Sequence, residues 1–145
     1  MTQRMAINLL AAACLILAGY LLIGAWLQGL DGDRVWEGAT RTYVEEYHRW
    51  LAESPASGWA RVEALSAGPE RSRIERLRSD AQEPSRWRYS VGEYHLILQA
   101  AGKALVEANY QMETPGVSRE VKEIYLLEKG LQGIKVTRVI GGNPQ

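Results

Sequence analysis

The chain has no phenylalanine, one cysteine and two histidines in 145 residues. Its single thiol, Cys14, lies in an apolar run, so the polar remainder holds neither a disulfide nor a cysteine nucleophile. His48 and His95 stand far apart, with no HxxxH pair and no accompanying Cys cluster, which leaves no zinc signature and no metal ligand set. No P-loop and no Gly-rich dinucleotide fingerprint occurs, and no cofactor or catalytic residue set is implied. Charge of one sign is not in excess either. The 17 basic and 17 acidic residues cancel, so no strong field draws the chain to nucleic acid. Repeats, low-complexity tracts and long linkers are also absent. Without phenylalanine, five Trp and seven Tyr carry the aromatic packing, and each can bury a ring while keeping a polar tip.

What is present begins with Met5–Leu27, an uncharged run of 23 residues whose one strongly polar side chain is Asn8. At about 1.5 Å per residue, a helix of that length crosses the ~30 Å core of a bilayer. Arg4 precedes the run, and Asp31, Asp33 and Arg34 follow it, a bias toward a cytoplasmic N-terminus. Trp26 stands at the outer end, where an interfacial aromatic belongs. The run is longer than a signal-peptide core, so it reads as an uncleaved anchor. Two processed alternatives stay open: cleavage after Ile23-Gly24-Ala25, and lipidation at Cys14, although Leu15–Leu27 stays apolar behind that cysteine. Gly19 and Gly24 are not at the four-residue spacing of a close-packing motif.

The remainder is long enough for one domain. Gln28–Arg34 reads as a linker that breaks the membrane helix, with Asp33 as a cap for the next one. Val35–Glu53 then carries Trp36, Ala39, Tyr43, Val44, Tyr47, Trp50 and Leu51 at helical spacing, with His48 at the border of that face. Ser54-Pro55 stops this helix, and Ser57 caps a second one, Gly58–Ser66. A third, Pro69–Asp80, buries Ile74 and Leu77. Its other faces present Arg71, Arg73, Arg76 and Arg78 beside Glu70, Glu75 and Asp80. This is a self-paired solvated face, or else an interaction surface for a phosphate or an acidic partner.

From Arg86 the period changes to two. Trp87, Tyr89 and Val91 alternate, then Tyr94, Leu96, Leu98 and Ala100. The parity switch at Gly92-Glu93 marks a bulge or bend. Ala101-Gly102 turns the chain into a half-buried strand with Ala104, Val106, Ala108, Tyr110 and Met112 on one face. Thr114-Pro115-Gly116 leads to a strand over Val121–Glu128, and Gly130–Gly133 to a last strand, Ile134–Ile140. The fold class is α+β: about three helices packed on a curved antiparallel sheet of about four strands.

The aromatic first helix, the bent strand Trp87–Ala100, the hairpin Lys103–Glu113 and the closing pair VKEIYLLEKGLQGIKVTRVI together resemble the NTF2-like (cystatin-like) superfamily. The implied organisation is a short N-terminus (1–4), a transmembrane helix (5–27), a juxtamembrane linker (28–34), an NTF2-like exported domain (35–140) and a tail (141–145). One membrane helix followed by such a domain also resembles the VirB8-like components of type IV secretion and conjugation systems. That resemblance implies a bacterial inner-membrane location, a cytoplasmic N-terminus and a periplasmic C-terminal domain. It also implies a structural subunit that self-associates or contacts other envelope proteins. The alternative it leaves is a small-ligand-binding or enzymatic pocket between the sheet and the first helix. Such a pocket would be lined by Tyr43, Tyr47 and Tyr110. His95, the remaining candidate, falls on the opposite parity to Tyr94, Leu96 and Leu98. Glu107 and Glu113 fall off the apolar parity, so no convergent acid–base set is expected on the pocket side.

Overall fold

Helical periodicity up to residue 80 and period-two alternation after residue 87 become four elements of sheet preceded by three of helix. A computed structural model describes the backbone of residues 3–53, 58–80 and 83–141, and the side chains of these except residues 3, 4 and 25–31. The order is α1 (Gln3–Glu53), α2 (Trp59–Ala64), α3 (Gly68–Asp80), β1 (Arg88–Ala100), β2 (Lys103–Thr114), β3 (Val117–Gly130) and β4 (Gly133–Ile140). The Trp26 side chain, the stop at Ser54-Pro55, the cap at Ser57 and residues 142–145 of the tail lie outside the described residues. The chain divides into two compact units, Met1–Arg34 and Val35–Gln145.

In the first unit, Met5–Gly24 is a helical stretch of mean hydropathy 2.4, and none of it is covered by protein. Its length and composition suit a membrane anchor and a signal sequence alike. The linker expected to break the helix does not: α1 is helical through Gln28–Arg34, and Asp33 lies inside it rather than at a cap. Gly29 and Gly32 each cost about 1 kcal/mol in a helix interior. With no proline among them, no backbone hydrogen bond is lost, and helix propagates across from both sides.

In the second unit the sheet is a four-stranded antiparallel meander in the order β1-β2-β3-β4. Its inner face carries Tyr94 from β1, Ala104, Val106, Ala108, Tyr110 and Met112 from β2, Val121, Tyr125 and Leu127 from β3, and Val136 from β4, all buried. The helical segment from Val35 onward supplies Trp36, Tyr43, Val44 and Trp50 to the same core, and Val62 and Ile74 come from α2 and α3. Each fully buried aliphatic side chain contributes about 1.5–3 kcal/mol by leaving water. Thr40 is buried within this stripe, its Oγ1 donating to the Trp36 carbonyl at 2.9 Å. The backbone Ser66–Val136 bridge ties the α2–α3 connection to β4.

β1 starts at Arg88, one residue after the expected Trp87, whereas β2, β3 and β4 extend beyond the alternation, most of all β3, because ladder pairing with β2 continues from Lys103↔Glu128 to Thr114↔Val117. At the β1–β2 turn both Ala101 and Gly102 have positive φ, 51° and 73°, the two-residue loop whose twist matches that of the strands. The bend of β1 lies just before the glycine expected to mark it. One register shift falls between Tyr89 and Gly92, and a second between Leu96 and Leu98. Gly92 serves a different purpose. A Cβ there would stand 2.8 Å from Tyr89 Oη, 2.9 Å from Tyr110 Cβ and 3.0 Å from Tyr94 Oη. Gly92→Ala therefore forces three tyrosines to shift. It is expected to destabilise the domain by about 1–3 kcal/mol in urea unfolding, with an unchanged m-value.

Candidate functional site

Tyr43 and Tyr47 sit one turn apart on α1 and both turn toward the sheet, their rings stacked at 6.0 Å. Tyr43 Oη donates to Glu70 Oε1 on α3. Glu70 is only 2% exposed, so its charge needs a partner within the fold. Arg73, three residues on along the same helix, provides it with two parallel bonds: Nη2 to Oε1 at 2.6 Å and Nε to Oε2 at 3.0 Å. Arg73 Nη1 also donates to Tyr47 Oη at 3.2 Å, and the guanidinium lies 5.2 Å from the centre of that ring.

A second polar group lies between α1, β2 and β3. Tyr110 Oη donates to Glu123 Oε2 at 2.8 Å, and Tyr125 Oη donates to the same oxygen. His48 Nε2 is 3.1 Å from Tyr110 Oη. Since the one Tyr110 proton goes to Glu123, the imidazole must donate here, which places its proton on Nε2. The His48 ring stacks on Tyr89 at 6.4 Å, and Tyr89 Oη pairs with Tyr94 Oη at 3.1 Å. Tyr43 and Tyr125 meet edge to face at 6.0 Å, so the two polar groups share one aromatic wall.

Burial dominates the electrostatics. It pushes the Tyr43 phenol far above its ordinary range, and the Glu70 carboxylate adds to the shift. Burial likewise raises Tyr47, Tyr94, Tyr110 and Tyr125. All five are therefore neutral hydroxyls at any physiological pH. For Arg73 burial opposes the charge, but the hydrogen bonds to Glu70 and Tyr47 outweigh it and hold the guanidinium above its usual value. His48 is lowered to about 4, first by burial and then by the charges of Arg119 and Arg73.

The three tyrosines named as pocket-lining from sequence thus converge on the inner side of the sheet, and their hydroxyls are satisfied by one another's neighbours. His95 does not join them: its side chain is 63% exposed on the opposite face. The arginines of α3 separate. Arg73 turns inward to Glu70, Arg71 pairs with Glu63 at 2.6 Å, Arg78 lies 3.5 Å over the ring of Trp59, and Arg76 is exposed. The expectation that the inner side lacks acid–base groups needs correcting, because Glu70, Glu123 and His48 all point there. Glu123 belongs to the row Val121-Glu123-Tyr125-Leu127, a period-two signal hidden by the apolar run Ile124–Leu127. Glu70 lies four residues before Ile74 and so shares its buried face.

This network can hold a proton on a carboxylate–phenol–imidazole line, yet most of its atoms are enclosed by their own partners. His48 and Tyr89 reach an open cleft of about 210 Å³, rimmed by Glu45, Arg49, Glu53 and Arg88. A larger apolar cleft of about 610 Å³ lies between the α2–α3 connection and the β3–β4 turn. Among the described residues, no three His, Cys, Asp or Glu side chains are grouped to hold a metal ion. No family model, no curated protein and no solved structure matches this chain.

Glu70→Ala leaves the buried Tyr43 hydroxyl without its acceptor and the partly exposed Arg73 without its carboxylate, and is expected to cost about 1–3 kcal/mol in chemical unfolding. Replacing Glu70 and Arg73 together with methionine should restore part of that loss, because no charge is then left unpaired while the Tyr43 hydroxyl still lacks its acceptor. The depressed His48 pKa sets a pH dependence of known sign. The unfolded chain takes up a proton near the usual 6.5 and the folded chain only near 4, so stability is complete above pH 6.5 and declines as pH falls toward 4. The full loss is on the order of 3 kcal/mol. Thermal melts between pH 7.5 and 5 should show this decline in the parent and a flattened profile in His48→Gln.

Proposed function

We propose that this chain is a non-enzymatic assembly subunit held at a membrane by its N-terminal helix. In this reading, Val35 onward is a domain, compatible with the NTF2-like fold, that docks against other proteins of a bacterial envelope. One observation carries it. The space between helices and sheet, where a pocket of this fold would lie, is occupied by Tyr43, Tyr47, Tyr110 and Tyr125 bound to Glu70, Arg73 and Glu123. The chemistry of the domain is thereby turned inward, and what it offers outward is surface: Val91, Ile97, Leu98 and Ile140 stand exposed on the sheet. Single-sided exposure of large aliphatic residues is what a contact surface needs. A VirB8-like role in secretion or conjugation, with the N-terminus cytoplasmic and the domain periplasmic, fits the order of anchor and domain. A second reading, a small-ligand protein, has one specific observation in its favour: a neutral His48 imidazole and Tyr89 line an open cleft.

The test is the mass of full-length protein extracted in detergent from its native membrane, together with whatever accompanies it. A defined homo-oligomer or co-purifying envelope proteins is the expected result. A monomer carrying a bound small molecule that is lost in His48→Gln would overturn it in favour of the cleft.

A further inference from the structure

The sheet ends in two edge strands, and they are treated differently. On β4 the α2–α3 connection covers the margin: the Val136 amide donates to the Leu65 carbonyl at 2.9 Å, and the Ala67 amide to the Val136 carbonyl at 2.9 Å. Along β1, among the described residues, no backbone group pairs on the outer side. The contact there is a side chain, Glu37 Oε1, which accepts the Leu96 amide at 3.0 Å. That bond reveals which groups face outward. If the Leu96 amide points away from β2, alternation points those of Tyr94 and Gly92 the same way, while Glu93 and His95 face Asn109 and Glu107 of β2.

The regular part of β1 is bounded by its two register shifts, after Tyr89 and after Leu96. It therefore runs Gly92–Leu96 and is centred on Tyr94. An antiparallel pairing of two identical strands about that centre is self-complementary. Within that stretch Glu93 of one copy meets His95 of the other, a pair that occurs twice. Both side chains are open to solvent, Glu93 80% and His95 63% exposed, and the bulge residues Val91 and Ile97 at the two ends are exposed as well. The neighbouring registers fail. A centre at Glu93 opposes two carboxylates, and a centre at His95 opposes two imidazoles.

We propose that two copies of this chain pair antiparallel through β1 about a two-fold axis at Tyr94, joining two four-stranded sheets into one of eight. This rests on the assembly reading and names its partner: a second copy. The interface is isologous, as a two-fold requires. On pairing, the Leu96 amide passes from Glu37 to the Gly92 carbonyl of the second copy. Five residues a side make a small interface, in the range of weak contacts, so pairing depends on the high local concentration of chains held in one membrane.

The test uses the full-length chain in its native membrane, with Cys14→Ser removing the existing thiol. In the proposed register, positions 93 and 95 of the two copies form a non-hydrogen-bonded pair with Cα atoms about 4.5 Å apart, within disulfide range. The double variant Glu93→Cys/His95→Cys is expected to give a covalent dimer on mild oxidation, and neither single variant should do so. Both sites are exposed, so the variant should melt as the parent does. Adding Glu37→Ala removes the competing acceptor and should raise the yield. Equal linking by Glu93→Cys alone would overturn the register. No link from the double variant, while an amine-reactive cross-linker still traps oligomers or other proteins, would overturn this edge and leave the assembly reading standing. No trapped partner of any kind would overturn both.

Discussion

The fold depends on a carboxylate that water cannot reach. Glu70 is enclosed between α3 and α1, and its charge is tolerable because Arg73 grips both oxygens while Tyr43 donates a third bond. Such a pair adds little net stability over well-packed apolar residues, but losing one member is expensive. Its effect is to determine position. The bonds run from α3 to Tyr43 and Tyr47 on α1, so the two elements hold one geometry, and Tyr43 in turn meets Tyr125 of the sheet. The second carboxylate, Glu123, repeats the solution with two tyrosines, and Tyr110 in turn accepts from His48.

The absence of phenylalanine bears directly on this. Each core aromatic here is a Tyr or a Trp, and each buried hydroxyl has to find a partner. A sheet face lined with tyrosines brings acids and bases inside with it. The result is an interior rich in titratable groups that are occupied with one another. The polar interior thus accompanies the packing of tyrosines. The polar contacts of the outer face are solvent-exposed by comparison. Glu107 pairs with Lys122 at 3.3 Å and Glu93 approaches His95 at 3.9 Å, both in reach of solvent, with exposed aliphatics beside them.

Much of this was readable from residue spacing. The stripe Trp36–Leu51 and the alternation Ala104–Met112 place their side chains where the period says, because one face of each element is apolar and burial selects it. The inward direction of Tyr43, Tyr47 and Tyr110 and the outward direction of His95 follow from the same rule. Glu123 was not legible: it sits on the buried parity of β3, and a charge there looks like a break in the pattern until two tyrosines from β2 and β3 are seen to meet it. Arg73 looked like one of four surface arginines, since nothing local distinguishes it from Arg71 or Arg76. The helix through Gln28–Arg34 was missed because glycine and aspartate are weak helix formers but, unlike proline, remove no hydrogen bond.

By itself the sequence determined the apolar span, the class of the domain, the order of its elements and the faces they bury, because these follow from hydrophobic period and turn residues within a few positions of one another. The tertiary structure alone decided which charges are inside. Whether a carboxylate at 70 or 123 is solvated or buried depends, beyond the nearby Arg73 and Tyr125, on donors 27 residues away for Tyr43–Glu70 and 13 for Tyr110–Glu123. It also decided which sheet margin is covered and which is open, since the segment closing β4 comes from the α2–α3 connection while, among the described residues, β1 meets the Glu37 side chain. No local pattern encodes a partner that arrives from a distant part of the chain.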